Sequence, residues 1–393
     1  MAQFGDFTVD RTTAKYVLGS GGTIISYATD EPAFEFNADG SYKGLLVEPA
    51  ATNLCLQSED FGTTWLDSNV TVVASTEETP DGDTSSKNIK LVADSVAGGK
   101  FVYQNISGSG VGTFSVFAKK AEYDNLRIIE IGGYRYYANF DLTNGTTSGG
   151  GGADFESASI EEYPNGWYRC SVTTDGAFGA PSVVGYPDAI TPTNTPANYT
   201  GDDTSGIYVW GAQFETGPIA TSYIPTTTAS VQRVKDDITL GSASSLIGQT
   251  EGTLYVEVDW RAASGTTQYL LDVTDGTGSN RMIIFNASVS GGQLRMFAGA
   301  NGTPQTDQGE LSSGYSGIQK IAFAYKTDDF ELYRNGSSIS TDTSGSLAAL
   351  ATLTDIDLGQ SSSAGVQANM HIRAVALYTR RLTDAEAQAL TTL

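Results

Sequence analysis

Apolar and polar residues alternate with a period of two through most of the chain, in runs of four to eight residues separated by Gly-, Asn- and Asp-rich breaks. That period sends successive side chains to opposite faces of a strand, so the pattern predicts β-structure nearly throughout. In Gly112 to Lys120 the residues Phe114, Val116 and Ala118 share one face; in Gly166 to Asp175, Tyr168, Cys170 and Val172 lie opposite Trp167 and Arg169. Both runs predict strands buried on one side. Ile207 to Phe214 places Tyr208, Trp210, Ala212 and Phe214 together while Ile207 and Val209 begin the other face, which predicts a central strand buried on both sides at its start.

Between Ser230 and Ile247 apolar content falls and Gly/Ser rises, and strand patterning resumes at Gly252. The second half then runs through TLYVEVDW, QYLLDV, RMIIFNA, QLRMFA, QKIAFAYK, FELYRNGSSIS and MHIRAVALY. Asn335-Gly336 tolerates positive φ at both positions and predicts a type I′ hairpin joining FELY to SSIS. Thr383 followed three residues later by Glu386 is a capping box, predicting a short C-terminal helix with Leu382, Ala385, Ala389 and Leu390 facing the sheet. The expected fold class is all-β: two antiparallel β-sandwich (jelly-roll) domains at residues 50–230 and 248–393, a linker at 231–247, and a strand-containing leader at 1–49. The leader has two short strands around Gly19-Ser20-Gly21-Gly22, with Pro32 interrupting pairing, and is too small for a core of its own. It is expected to pack on the first sandwich or on a neighbouring subunit.

Charge narrows the partners. With 45 acidic and 22 basic residues the net charge is −23, which argues against nucleic acid or an anionic membrane, because both are held by Lys/Arg surfaces. The acids are scattered rather than gathered into a tail, as in a folded protein. MAQFGDFTVDRTTAKYV has no basic region followed by an apolar core, and about 18 apolar residues never run together, so synthesis in the cytoplasm without membrane insertion is expected. Cys55 and Cys170 sit on apolar strand phases and read as buried free thiols.

Catalytic equipment is sparse. His371 is the only histidine; it lies opposite Met370 and Ile372 in an alternating strand and reads as a solvated or satisfied strand residue, with no G-x-S-x-G elbow to serve. One His and two separated Cys cannot close a zinc site. Glu257 and Asp259 share a strand face and resemble the Glu-x-Asp-x-x-Glu strand of a jelly-roll glycosidase family, yet the third position is Ala262, so the acid/base is missing and a solvated outer face is expected. Glu78, Asp81 and Asp83 gather hard oxygen ligands suited to calcium on one turn, although Pro80-Asp81-Gly82 is also simply a good turn. Sugars are recognised by flat aromatic faces with amides, carboxylates and arginines for the hydroxyls. Gly133 to Asn139 is the densest candidate, sending Tyr134 and Tyr136 one way and Arg135, Tyr137 and Asn139 the other; a core strand with ordinary cross-strand pairs is the alternative. Tyr269, Arg281, Arg295 and Tyr315 are the corresponding candidates in the second half.

Two long phrases carry a family resemblance. GLLVEPAATNLCLQSEDF at Gly44 to Phe61, with Trp65 beyond, is answered by IYVWGAQFETGPIATSYIPTTT at Ile207 to Thr228. The pairing resembles tailed-bacteriophage virion proteins over roughly residues 1 to 237, and the resemblance implies that the sandwich at 50–230 is a carbohydrate-binding-like jelly roll. The second half, with AFAYK, DFELYRNG and the terminal LYTRRLTDAEAQAL, resembles concanavalin A-like or laminin-G-like jelly rolls over about residues 248 to 393. The resemblance implies a non-catalytic structural virion protein of tail-fibre or tail-tip type that meets a host-surface glycan. It further implies other virion proteins as partners, a homo-oligomer such as a trimer, and a leader that docks. A capsid decoration or head-fibre protein, and a polysaccharide-degrading enzyme or its binding module, remain the alternatives.

Overall fold

The computed structural model describes residues 4–186, 198–260, 267–288, 292–311, 315, 317–361 and 367–393. Ala262, the third position of the glycosidase-like strand, lies outside them. Among the described residues the larger sheets form two antiparallel β-sandwiches, and Asp384–Thr391 forms a short α-helix.

The first sandwich packs a sheet ordered Thr146–Gly151, Tyr137–Asp141, Asn125–Glu130, Pro181–Tyr186, Phe101–Tyr103, Leu66–Ser68 on another ordered Phe155–Tyr163, Trp167–Gly179, Ile106–Lys120, Gly206–Thr216, Lys87–Ala93, Val70–Ser75. Its core includes Phe114, Val116, Leu126, Ile128, Cys170 and Phe214. Gly206–Thr216 is central, as the alternation predicts, but its faces differ from expectation. Pairing with Ile106–Lys120 slips between Ser115 and Phe117, and Gly211 stands at φ 63. This bulge reverses the alternation. Phe214 and Ala212 point into the core, whereas Trp210 and Tyr208 point out, onto a second apolar cluster with Phe117, Trp167 and Tyr223. A Cβ at Gly211 would lie 2.8 Å from the Phe117 ring, so no larger residue fits.

That outward cluster is closed by the segment expected to be a separate leader. The hairpin Lys15–Leu18/Ile24–Tyr27 lays Leu18 and Ile24 over Trp167, Trp210 and Tyr163. Strands 112–120 and 166–175 are therefore buried on both sides, not one.

The rest of the leader belongs to the second sandwich. One sheet of that module runs Thr8–Asp10, Asp237–Leu240, Asp355–Leu358, Gln268–Thr274, Arg281–Ala287, Gln293–Ala300, Thr303–Leu311. The other runs Ser337–Asp342, Asp329–Arg334, Gly317–Lys326, Glu251–Trp260, Met370–Tyr378, Tyr42–Val47, Phe34–Phe36. Phe7, Val9, Leu45 and Val47 enter the same core as Leu254, Ile284, Met296 and Phe323. The boundaries at 49 and 247 thus cut through this second module, here called the terminal sandwich. Its strands lie on both sides of the first sandwich in sequence, and the first is inserted into it. Two antiparallel strands, Ala51–Asn53 and Val231–Arg233, form the neck between them. The expected linker 231–247 supplies one neck strand and the sheet strand Asp237–Leu240.

The neck region is fixed by buried ions. Arg11 meets Asp236 at 2.8 Å, Lys15 meets Asp236 at 2.6 Å and Glu48 at 3.1 Å, and Arg233 lies 3.5 Å from Glu48, all essentially without solvent exposure. Removing one member would leave a partner charged and buried, which costs about 3–5 kcal/mol.

The two resembling phrases are clasped by buried hydrogen bonds. Asn53 donates to the carbonyls of Ala212 and Ile224 and accepts from the amide of Phe214. Glu215 accepts from the Thr221 amide and hydroxyl and from Gln213, while the hydroxyls of Ser58 and Tyr223 meet at 2.7 Å. Backbone groups that would otherwise be orphaned in the interior are satisfied by these side chains.

In the terminal module the Asn335-Gly336 hairpin forms at φ 47 and 83, and Thr383 and Glu386 make the capping box. The helix covers the outside of the second sheet with Leu382 and Ala387 against Tyr255, Ala322 and Tyr333. Leu390 is partly buried there, but Ala385 and Ala389 are exposed. Each is about 200° around the helix from Ala387, so they share its far side.

Candidate functional site

With the helix on one outer face of the terminal sandwich, the opposite outer face is the surface to consider. Its strands Gln268–Thr274, Arg281–Ala287 and Gln293–Ala300 send Leu271, Val273, Met282, Ile284, Leu294 and Met296 into the core. A register slip between Tyr269 and Leu271 turns both Leu270 and Leu271 inward and leaves Tyr269 and Asp272 on the outer face. Two cross-strand rows follow. Tyr269, Phe285 and Arg295 are paired across three strands, and Asp357, Asp272, Ile283, Phe297 and Asp307 across five.

Tyr269, Phe285 and Phe297 are half-buried, and the Tyr269 and Phe285 rings are stacked with centroids 5.7 Å apart at 18°. The Arg281 guanidinium sits 5.6 Å from the Tyr269 ring, pairs with the buried Asp272 carboxylate, and donates to Ser361 Oγ at 2.6 Å. Arg295 lies 2.7 Å from Asp307 and donates to Gln293 Oε1 at 2.7 Å. Asp357 accepts from Thr239 Oγ1 at 2.7 Å. Burial pushes the Asp272 carboxyl up to about 6; the Arg281 charge opposes this and Asp357 adds to it. The result is an aromatic platform ringed by polar groups already held in place, an arrangement that can stack a flat apolar face and meet hydroxyls at its edge. Asp272 has no solvent exposure and is tied to Arg281, so it cannot reach a leaving oxygen as a general acid must.

Three of the sequence candidates, Tyr269, Arg281 and Arg295, converge on this face. The others do not. Tyr136 and Tyr137 are buried in the inserted sandwich: Tyr136 donates to the Phe178 carbonyl at 3.0 Å, and Tyr137 packs under the Arg127 guanidinium. They are not a contact surface, because the loop before them is folded around buried Glu130, which accepts from the amides of Gly132 and Gly133. Only Tyr134, at φ 55 and 37% exposed, and Arg135, near Glu130 and Asp154, reach the surface there. Tyr315 is half-buried under Arg334, whose guanidinium is 3.8 Å from the ring, at the opposite sheet. Phe285, Phe297 and Asp357 are not among the sequence candidates, because the cross-strand rows that assemble this face are invisible to local alternation.

The acidic turn has its own cation. Lys87 Nζ lies 3.1 Å from Asp83 and 4.0 Å from Asp81, and Glu78 contributes only its carbonyl, to Trp167 Nε1. The Ser85 amide, then the Lys87 ammonium, hold the Asp83 carboxyl down at about 2. Among the described residues no group of three or more His, Cys, Asp or Glu is arranged to hold a metal ion. Glu257 is ion-paired with Arg373 at 2.8 Å rather than solvated. His371 is fully buried and bonded to Glu35 of the former leader, since strand Tyr42–Val47 and its neighbour Phe34–Phe36 cover it. Cys55 and Cys170 are free and buried, and burial raises both thiols well above their usual range.

Residues 232–388 match the model of the concanavalin A-like lectin/glucanases superfamily. No curated protein matches the chain. Among solved structures, the CBM40 module of the Ruminococcus gnavus IT-sialidase bound to α2,3-sialyllactose is 18% identical, with 38% of this chain and 86% of that chain covered and a TM-score of 0.32. The botulinum neurotoxin type C structure described for its interaction with two ganglioside molecules is 14% identical over 40% of this chain and 39% of that one, with a TM-score of 0.33. A heptameric pentraxin from Limulus polyphemus is 13% identical over 36% and 70%, with a TM-score of 0.30. The chain is an all-β protein whose terminal module is a concanavalin A-like β-sandwich.

Proposed function

We propose that the chain is a glycan-binding, non-catalytic component of a tailed-phage virion, of tail-fibre or tail-tip type, and that the aromatic face of its terminal sandwich is the contact surface. The observation that carries the binding reading is the stacked Tyr269–Phe285 pair with Arg281 and Arg295 fixed beside it. Binding is favoured over polysaccharide cleavage because Asp272, Asp357 and Asp307 of that face are engaged by Arg281, Thr239 and Arg295 rather than held as a free acid and base across a bound sugar. The virion assignment is supported by the two phrases, whose residues form the clasp at the base of the inserted sandwich. Its partners on this reading are other virion proteins and further copies of itself, in a symmetric assembly such as a trimer.

Titrating the intact chain with a panel of host-derived surface glycans tests the first part. Phe285→Ala should weaken binding at least tenfold with the melting temperature checked in parallel, and equal affinity for the variant refutes the face. Antibody labelling of particles tests the second part: label at the tail supports the assignment, and label on the head selects the decoration reading.

A further inference from the structure

The inserted sandwich carries a cleft of about 570 Å³ that the aromatic face does not explain. Its walls are Gln57, Glu59 and Asp60 from the first phrase, Ser86, Lys87 and Asn88 at the adjoining strand, and Thr227 from the second phrase. The phrases thus divide in two. Asn53, Ser58, Gln213, Glu215 and Tyr223 are consumed by the internal clasp, while Gln57, Glu59 and Asp60 are left along a concave surface.

The polar groups of the cleft are held before any ligand arrives. Glu59 accepts from the Tyr223 hydroxyl at 3.1 Å with one oxygen and from Lys87 Nζ at 3.2 Å with the other. Asn88 Nδ2 donates to Asp60 at 3.0 Å. The Gln57 backbone, at φ 50, is pinned by the hydrogen bond its N–H donates to the Thr227 carbonyl at 2.7 Å. The cleft therefore presents both donors and acceptors, and Pro225 and Val231 add apolar surface to its lining. The volume falls within the range of small-ligand sites, about 300–1,000 Å³.

Charge selects the ligand class. Glu59 and Asp60 face the cleft against the single cation Lys87, and Lys87 is already shared with Asp83 and Asp81. Two carboxylates against one shared cation leave the cleft net negative, so an anionic ligand would be repelled at close range. The geometry points to a second saccharide site, taking a neutral di- or trisaccharide and separate from the aromatic face of the terminal module.

Two tryptophans report on it. Trp65 Nε1 donates to the Gln57 carbonyl at 3.2 Å, and Lys87 Nζ lies 6.0 Å from the Trp210 ring centroid. The intact chain, labelled with fluorotryptophan, would be titrated with lactose, cellobiose, chitotriose and 3′-sialyllactose by ¹⁹F NMR and calorimetry. A neutral saccharide is expected to shift the Trp65 or Trp210 resonance. The triple variant Gln57→Gly, Ser86→Ala, Thr227→Ala should weaken that event at least tenfold, and Phe285→Ala should leave it unchanged. Gly is chosen at position 57 because it accepts the positive φ without strain. Should the triple variant fail to fold, the wild-type resonances still decide. No shift with any neutral saccharide overturns the proposal, as does a stronger response to the sialylated probe. Binding lost in Phe285→Ala but intact in the triple variant overturns the cleft while leaving the terminal face standing.

Discussion

His371 and Glu35 are 336 positions apart and meet in the interior of the terminal sandwich. Glu35 also lies 3.8 Å from Lys43, which bonds Glu161 of the inserted sandwich. Alternation alone made His371 a residue whose loss would matter little, about 0.5 kcal/mol as at exposed sites. Its burial changes the expected outcome: His371→Ala should lower stability by about 1–3 kcal/mol, because it leaves a carboxylate without its buried donor. Chemical denaturation of the intact variant checks this, and a loss under about 0.5 kcal/mol would contradict it. Two carboxyls predict opposite acid responses. Glu386 is held down at about 2 by Arg380, then the Thr383 amide, so its contribution to the helix is full above about pH 4.5 and lost as pH falls toward 2. Amide protection in Asp384–Thr391, taken relative to intrinsic exchange, should fall over that window, and Glu386→Gln should flatten the dependence. Asp272, raised to about 6, works the other way: the folded state keeps a proton that the unfolded state releases, so its contribution declines as pH rises from about 4 to about 6. Asp272→Asn should remove that slope from the stability profile.

At the scale of elements, what the sequence disclosed is local. Period-two runs, the Asn335-Gly336 turn and the Thr383/Glu386 box each act within a few residues, and each appears where expected. The bulges at Gly211 and beside Leu270 invert faces without leaving a mark in composition, so alternation alone groups Trp210 with Phe214 although they point to opposite sides. Strand partners hundreds of residues apart are equally silent in local patterning, so the strands Thr8–Asp10 and Tyr42–Val47 read as part of a separate docking leader. Of the candidate site, the side chains with obvious chemistry were legible and their supporting partners were not. The pairing has a direct test. Deleting residues 1–43 strips strands from both sheets of the terminal sandwich, and should lower its melting temperature and expose apolar surface to a dye, rather than merely prevent docking. The neck offers a second. Because Asn53 pairs with Val231, residues 54–230 should be replaceable by a two-residue Asn-Gly turn. The shortened chain is expected to melt cooperatively, with fast amide exchange in the hairpin Lys15–Leu18/Ile24–Tyr27, which has lost its apolar cover.

At the scale of the molecule, the proposed glycan contact of an acidic chain with a neutral-looking platform would rest on shape and stacking rather than on long-range attraction. Arg281 and Arg295 are each matched by a carboxylate, so the net charge of −23 gives an anionic polymer no foothold there. Affinity for a neutral glycan should therefore change less than about twofold between low and physiological salt, within the screening of exposed charges. A steep salt dependence would mean that the contact surface is elsewhere.

The two-stranded neck also sets an order of events during synthesis. Val47 has its sheet partner at Met370, so at about 5–20 residues per second the strand Tyr42–Val47 emerges roughly 15–65 seconds before the strand that completes it. Through that interval the inserted sandwich can finish folding, since its strands are contiguous between Leu66 and Thr216. Once formed, it offers the hairpin Lys15–Leu18/Ile24–Tyr27 a docking site, and the hairpin tethers the waiting strands on either side of it. Ribosome-bound chains arrested near residue 270 should therefore resist protease across the inserted sandwich and the hairpin, while Phe34–Val47 is still cut. On the growing chain, the insertion would then hold the early strands near one another until their partners arrive.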